Sequence, residues 1–437
     1  MSIRALLLLF LACSSQAAGA ADESWLLTLD RWGNPQHETL SLARDGNALS
    51  GFLAREPLTG TLRRDRLRFR VVAADGSRCD YDGRRERDRL RGVADCPDTN
   101  DPDRRAQHAF SARRLPTRPS QAPRVHDYVP TDFSNTFSAE RLPVLTIWPG
   151  DSVRTKTIDS GGVDEHGRTV ALYGNPQTGP FFVAGAEPGD TLAVRIVRLR
   201  LNRDYADSLD GIVARALTTT QAVDFAHLGK PARWTLDRER GVARPQRAGG
   251  ALDHFEVPLR PMLGGLGVAP GPGSPPMSTG DTGRHGGNMD FNEIVEGSTV
   301  LLPVFQPGAL LYLGDAHALQ GDGETSQFAL ETSMEVEIHV ELLRGKTIAM
   351  PRVESADAIH VLGQAGSLDD ALRAATAGML QWLRQDYGLD AAQAAQVLGS
   401  SVRYRVANLA GRSVGLAASI DTARLATLRP ERSEAAR

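Results

Sequence analysis

Leu192-Ala193-Val194-Arg195-Ile196-Val197-Arg198-Leu199-Arg200-Leu201 sets apolar residues against small or charged ones at nearly every other position. A period of two belongs to a strand with one face on a core and the other in water. The stretch is entered through Gly189-Asp190-Thr191. The same order of glycine, Asp or Ser, Ser or Thr, then an aliphatic residue recurs at Gly150-Asp151-Ser152-Val153 and Gly297-Ser298-Thr299-Val300. Each copy launches a strand-like segment, as a turn feeding a sandwich strand would, and an old duplication would leave such a pattern. Val336-Glu337-Ile338-His339-Val340-Glu341-Leu342 alternates as cleanly, which puts His339 on the wet face with Glu337 and Glu341 as a surface histidine. Residues 125 to 430 are therefore expected to form a large, mainly β (α+β) domain of β-sandwich type, long enough to bury a substantial core.

Helices come late. Ser367 can cap the amide of Asp370, and Leu368, Ala371, Leu372, Ala375, Met379, Trp382 and Leu383 then form an apolar stripe that Gly388 ends. Asp390 starts a shorter helix running to Gly399, Val402 to Val406 reads as a returning strand, and a charged tail follows from Arg429.

Upstream, residues 22 to 113 read as a separate antiparallel β-barrel or small sandwich. Trp25–Leu29, Thr39–Leu42, Ala48–Leu53, Gly60–Leu62 and Leu67–Val72 are short, partly alternating, and separated by Asp, Asn and Gly signals. The arginines here are interleaved with acids, which describes a solvated face. With a formal net charge of −3 the chain offers no reason to expect a nucleic-acid partner. A Pro-rich linker is expected at residues 114 to 124.

Residues 1 to 20 have the layout of a secretory signal: Arg4, an apolar run from Ala5 to Ala12, and Ala18-Gly19-Ala20 as a cleavage site. Soluble export to the periplasm or medium fits better than lipid attachment at Cys13, since Phe10 stands where a lipidation signal prefers Leu. No later stretch is long and apolar enough for a transmembrane helix in the mature chain. Export also suits the remaining cysteines, Cys79 and Cys96, an even pair expected to form a disulfide across a hairpin.

The chemistry is concentrated in Gly314-Asp315-Ala316-His317-Ala318-Leu319-Gln320-Gly321-Asp322-Gly323-Glu324. Asp315 and His317, two apart on a strand, leave by one face and can converge on one ion. Gly321 and Gly323 allow the chain to re-aim Asp322 and Glu324 toward the same point. A polar turn whose acids cap backbone amides is the plainer reading, and for an isolated Asp-x-His it would prevail. The density of functional groups favours a site. An Asp, His and Glu set suits Zn²⁺ best, with Mn²⁺ or Ca²⁺ as alternatives. A second cluster, His285-Gly286-Gly287-Asn288-Met289-Asp290, ends a glycine- and proline-rich loop where it meets an apolar strand.

With these stretches in hand, residues 124 to 430 resemble the acetamidase/formamidase family. The likeness is carried by Gly264-Gly265-Leu266-Gly267-Val268-Ala269-Pro270, the His285 to Asp290 block, Leu302-Pro303-Val304, Gly308-Ala309-Leu310, Gly314 to Glu324 and Glu331. Asn175 to Pro180 and Gly185 to Asp190 are also similar, and Ser400 to Ile420 more faintly. The resemblance implies a hydrolase of carbon–nitrogen bonds in small linear amides, such as formamide or acetamide, yielding carboxylate and ammonia. It implies a divalent metal held by some of Asp290, Asp315, His317 and Glu331, with Asp322 as a further ligand or an orienting group. Glu324 would be the general base, although exchanging the roles of Glu324 and Glu331 fits equally. His285, Asn288 and Gln320 would orient ligands or hold the oxyanion, and Asn175 is a candidate for pocket lining. The expected partners are a small amide and further copies of the chain in a homo-oligomer. Gln327 departs from the small residue usual in the family and is expected to narrow or re-line the pocket. The rival reading is a metal-stabilised envelope binding protein without turnover. No Gly-x-Ser-x-Gly elbow and no nearby cysteine supports a covalent route.

Overall fold

The computed structural model describes residues 23–246 and 249–428. The expected signal segment, the Cys13 site and the tail from Arg429 lie outside the described residues. The chain divides into two compact units, one up to Thr117 and one from Arg118.

In the first unit eight strands pair antiparallel, each with the next: Glu23–Arg31, Asn34–Asp45, Ala48–Leu53, Glu56–Arg63, Arg66–Val72, Arg78–Glu86, Arg89–Pro97 and Arg105–Arg114. The first also pairs with the last, which closes a barrel and leaves no sheet edge. Eight strands enclose only enough space for their own side chains. Trp25, Leu27, Leu40, Leu67 and Leu90 fill it, while the alternate residues Arg66, Arg68 and Arg70 face water and pair with Asp80 and Asp82. Cys79 and Cys96, one step beyond the cross-strand pair Asp80–Asp95, form the expected disulfide.

The second unit is built on two sheets. A nine-stranded sheet runs in the order Arg403–Asn408, Val414–Asp421, Ala358–Ala365, Arg352–Glu354, Thr299–Pro303, Thr191–Leu201, Met334–Leu343, Ser152–Lys156 and Val125–Asp127. All three copies of the repeated turn start strands of this sheet. Their glycines, Gly150, Gly189 and Gly297, have φ of 91°, 91° and 94°, which the missing side chain permits. Asp151, Asp190 and Ser298 are buried and close the turns by hydrogen bonds to Trp148 N, Glu187 N and Val295 O. The alternation of Leu192 to Leu201 slips at Val197, and there the strand carries an irregularity between Ile196 and Arg198 that returns Leu199 to the core.

An eleven-stranded sheet supplies the other layer, with Leu311–His317 central between Met262–Gly267 and Glu331–Thr332. Leu263, Leu266, Leu311 and Leu313 from this layer meet Leu192, Val194, Ile196 and Val336 from the other in one buried core, the arrangement of a sandwich. The helix Leu368–Tyr387 covers the far face of the nine-stranded sheet, burying Ala371, Ala375, Met379, Trp382 and Leu383 against Leu301, Ile359 and Val361. Ser367 caps its start by accepting from Asp370 N, and Gly388, left-handed at φ 65°, ends it. Asp390 and Gln393 form a capping box on the next helix, Ala391–Ser401.

Candidate active site

The strand Leu311–His317 is buried along its whole length, so the polar residues at its end cannot be solvated. They must find partners in the protein or hold an ion. His317 Nε2 lies 3.4 Å from Asp315 Oδ1 and 3.1 Å from Glu331 Oε1, the neighbouring strand bringing Glu331 directly opposite His317. Asp290 arrives from the turn after Gly286–Asn288, and Glu324 from the loop beyond the strand. All five side chains are buried.

Two groups that could hold a metal ion share His317: one with Asp290 and Glu324, the other with Asp315 and Glu331, and within each the donor atoms lie within 4.8 Å of one another. The backbone is bent to bring them there. Asp290, Asp315 and Glu324 have φ of 42°, 54° and 45°, a region costly for residues other than glycine, and such strain gathers at functional sites. Gly264 faces Asp315 where the strand ladder is interrupted. A Cβ there would lie 2.7 Å from Asp315 Oδ2 and 2.9 Å from His317 Cε1, and closer still to Asp290 Oδ1. Glycine at this position leaves room for the carboxylates.

The residues present fit a divalent cation. His317 Nε2, Asp290 Oδ1, Asp315 Oδ1 and Glu331 Oε2 are buried and make no hydrogen bond, although they crowd together. Atoms that approach closely without hydrogen-bond geometry are aimed at a common point. Burial first, and then the neighbouring carboxylates, push Asp290, Glu324 and Glu331 above the ordinary carboxylate range. Burial alone would depress the His317 imidazole, but Glu331 and Asp315 carry it above its usual value. Four buried carboxyls around one imidazole are costly as ions, and a divalent cation would offset that cost.

A polar shell orients this set. Gln320 Nε2 donates to the carbonyls of Asp290 and Ala407, so its Oε1 must be the atom facing His317 Nδ1 at 2.9 Å. Nδ1 therefore carries a proton, and Nε2 is the ring atom left to bind a metal. Asn288 donates to Asp290 Oδ2 at 2.6 Å and accepts from Asn175, which also donates to Asp315 Oδ2 at 3.0 Å. Asn408 donates to Asp290 Oδ2 as well. The buried pair Arg203–Asp159, 2.7 Å apart, sits behind Glu331, with Arg203 donating to the Glu331 carbonyl at 3.0 Å.

Other expected site residues lie elsewhere. Asp322 does not join the cluster. Its half-exposed carboxylate is committed to Arg405, at 3.0 and 2.6 Å, and to Asn292 at 2.9 Å. His285 belongs to neither ligand group. It is buried edge-on against Phe137, and burial depresses its imidazole to about 4, which keeps it neutral. Gln327 turns away to donate to the Ala410 carbonyl and lines no part of the cleft above the site. That cleft, about 930 Å³, has Gln320 and Glu324 among its lining. Asn408, Arg203 and Gly264 were not read as functional from the sequence. Only Gly264 and Asn408 lay in stretches marked as similar to the family, and neither carried a chemical signal of its own.

The profile of the Acetamidase/Formamidase family matches residues 273–409, which contain the whole ligand set. Over that stretch the chain is similar to the acetamidase/formamidase family. An acetamidase from Mycolicibacterium smegmatis is 41% identical over 63 residues, 14% of this chain and 16% of that one. A formamidase from Methylophilus methylotrophus is 27% identical over 257 residues, covering 46% of this chain and 62% of its own. The chain thus spans less than two thirds of the length of these curated relatives. The likeness in fold extends further. A predicted acetamidase/formamidase from Thermoanaerobacter tengcongensis superposes with a TM-score of 0.60 at 26% identity, over 70% of this chain and 99% of that one. An acetamidase from Yersinia enterocolitica gives 0.60 at 28%, over 69% and 93%.

Proposed function

We propose that this protein is an exported amidohydrolase that cleaves the carbon–nitrogen bond of a linear amide. The observation that carries the reading is the buried ligand set of Asp290, Asp315, His317 and Glu331 beside Glu324, where Glu324 alone of these acids also lines an open cleft. That difference in access divides the roles of the two glutamates. Glu331, paired in register with His317, would hold the metal, and Glu324 would meet the water and substrate.

A divalent metal held there, Zn²⁺ being the best match to a mixed nitrogen and oxygen donor set, would supply polarisation of the amide carbonyl and acidification of water. Glu324, held by the amide of Ala329 at 3.1 Å, takes a proton from the attacking water as oxygen bonds to the carbonyl carbon. The carbon–nitrogen bond then breaks, the proton passes to nitrogen, and carboxylate and ammonia leave. The elevated affinity of Glu324 for protons, caused mainly by burial, suits a base that must also give the proton back. Gln320, Asn288, Asn175 and Asn408 hold the ligands in place, and their amides are already engaged with those ligands, so orientation is their task.

Export to an oxidising compartment is supported by the Cys79–Cys96 disulfide. Assembly into a homo-oligomer is supported by large apolar side chains left exposed on the second unit, including Val129, Leu142, Leu172 and Tyr173. The test of the catalytic reading is Glu324→Gln, which keeps size and removes the base. Full metal content with ammonia release lowered about 10²- to 10⁴-fold is expected. Release close to that of the wild type would contradict it.

A further inference from the structure

The cleft over the site is much larger than a two-carbon amide needs. Its 930 Å³ lies at the upper end of sites for drug-sized molecules, whereas four non-hydrogen atoms occupy on the order of 100 Å³. Trp234, Leu252, Phe255, Val257, Leu319 and Leu330 give it apolar walls, with the Trp234 and Phe255 rings meeting edge to face at 6.2 Å. Apart from Glu324 at the site itself, its charged residues are engaged. Arg233 and Asp207 pair at 2.7 Å, and Asp210 accepts from the amides of Gly229 and Lys230. Away from Glu324 the cleft therefore offers surface to an uncharged apolar group and no free charge to a polar one.

The two sides of the cluster differ in space. Toward Gly264 it is closed, since even a methyl group would strike Asp290, Asp315 and His317. Toward Glu324 it opens on the apolar walls. Hydrolysis of a primary amide places the ammonia-sized leaving group on the closed side and the acyl group on the open one. Trp234, Leu252, Phe255 and Val257 also lie outside residues 273–409, while Gln320, Glu324 and Leu330 lie inside, so the common ligand set is roofed by a segment that the family profile does not cover.

We infer that the preferred substrate is a primary amide with an apolar acyl group of aryl size, seated between Trp234, Phe255 and Leu330. The inference rests on the amidase reading above and adds the acyl class to it. The test compares kcat/KM for acetamide and phenylacetamide with the metal-loaded full-length protein, and repeats the comparison with Trp234→Ala and Phe255→Ala. Phe255 is partly exposed, so its truncation leaves the fold standing.

A preference for phenylacetamide of tenfold or more, reduced at least fivefold by either variant, is expected. Acetamide hydrolysed as well as phenylacetamide would overturn the extended subsite and leave the amidase standing. A preference untouched by both variants would overturn its location. Hydrolysis of neither amide would overturn the amidase reading, and this inference with it.

Discussion

Gly264→Ala adds one methyl group and should disable the site without unfolding the protein. The added carbon would stand 2.7 Å from Asp315 Oδ2, against ordinary contact from about 3.4 Å, so that oxygen must retreat by about 0.7 Å; Asp290 Oδ1 must move further. Metal–ligand distances tolerate only about 0.2 Å, so two of the candidate ligands leave their range together. Gly264 has no left-handed backbone to strain, and the cost to the metal-free fold is that of overpacking, about 1–3 kcal/mol. Metal affinity should fall about 100-fold or more, since disturbing even a supporting residue costs 10- to 100-fold. A chelator-competition titration reads the affinity, and thermal unfolding with and without metal separates it from stability. A Gly264→Ala protein that binds metal with wild-type affinity would refute the assignment of Asp290 and Asp315 as converging ligands.

Other outcomes follow from the same structure. Asp322→Asn should keep full metal content, because its carboxylate belongs to Arg405, while Asp315→Asn should lose metal; metal analysis of both purified variants distinguishes them. Replacing Cys79 and Cys96 with Ala should destabilise the barrel by about 3 kcal/mol, given their separation of 17 residues, measured by denaturant unfolding. His360, buried between Ser355 and Ser419, is depressed to about 4, chiefly by burial, from an unfolded value near 6.5. Between these values the unfolded chain binds the proton and the folded one does not. Stability should therefore be lost as pH falls from about 6.5 to 4, by about 3 kcal/mol, and His360→Gln should flatten that part of the stability–pH curve.

Local order was the legible part. Ser367 and Gly388 announced the helix they bound because capping depends on neighbours a few residues away. The repeated Gly-Asp-Ser turn announced three strands for the same reason, but not that all three belong to one sheet, since pairing such as Thr191–Leu201 with Met334–Leu343 joins distant stretches. Within the site, Asp315 and His317 were readable from spacing. Asp322 was misjudged because only the fold brings Arg405, 83 residues later, to claim it. Asn408 was invisible for the converse reason: an ordinary Asn in sequence, it reaches Asp290 from 118 residues away. Gly264 could be seen as a glycine in a glycine-rich strand, but the need for its missing side chain appears only when Asp290, Asp315 and His317 surround it.

The most direct test of the central claim is ammonia release from a panel of short and aryl-substituted amides, wild type beside His317→Ala, with metal content measured on the same samples. His317 is common to both ligand groups, and its Nε2 is the one imidazole atom left free to bind. Release by the wild type, with both metal and ammonia lost in His317→Ala, is the predicted result. Metal retained by His317→Ala, or no ammonia from any amide with metal-loaded wild type, would contradict the account.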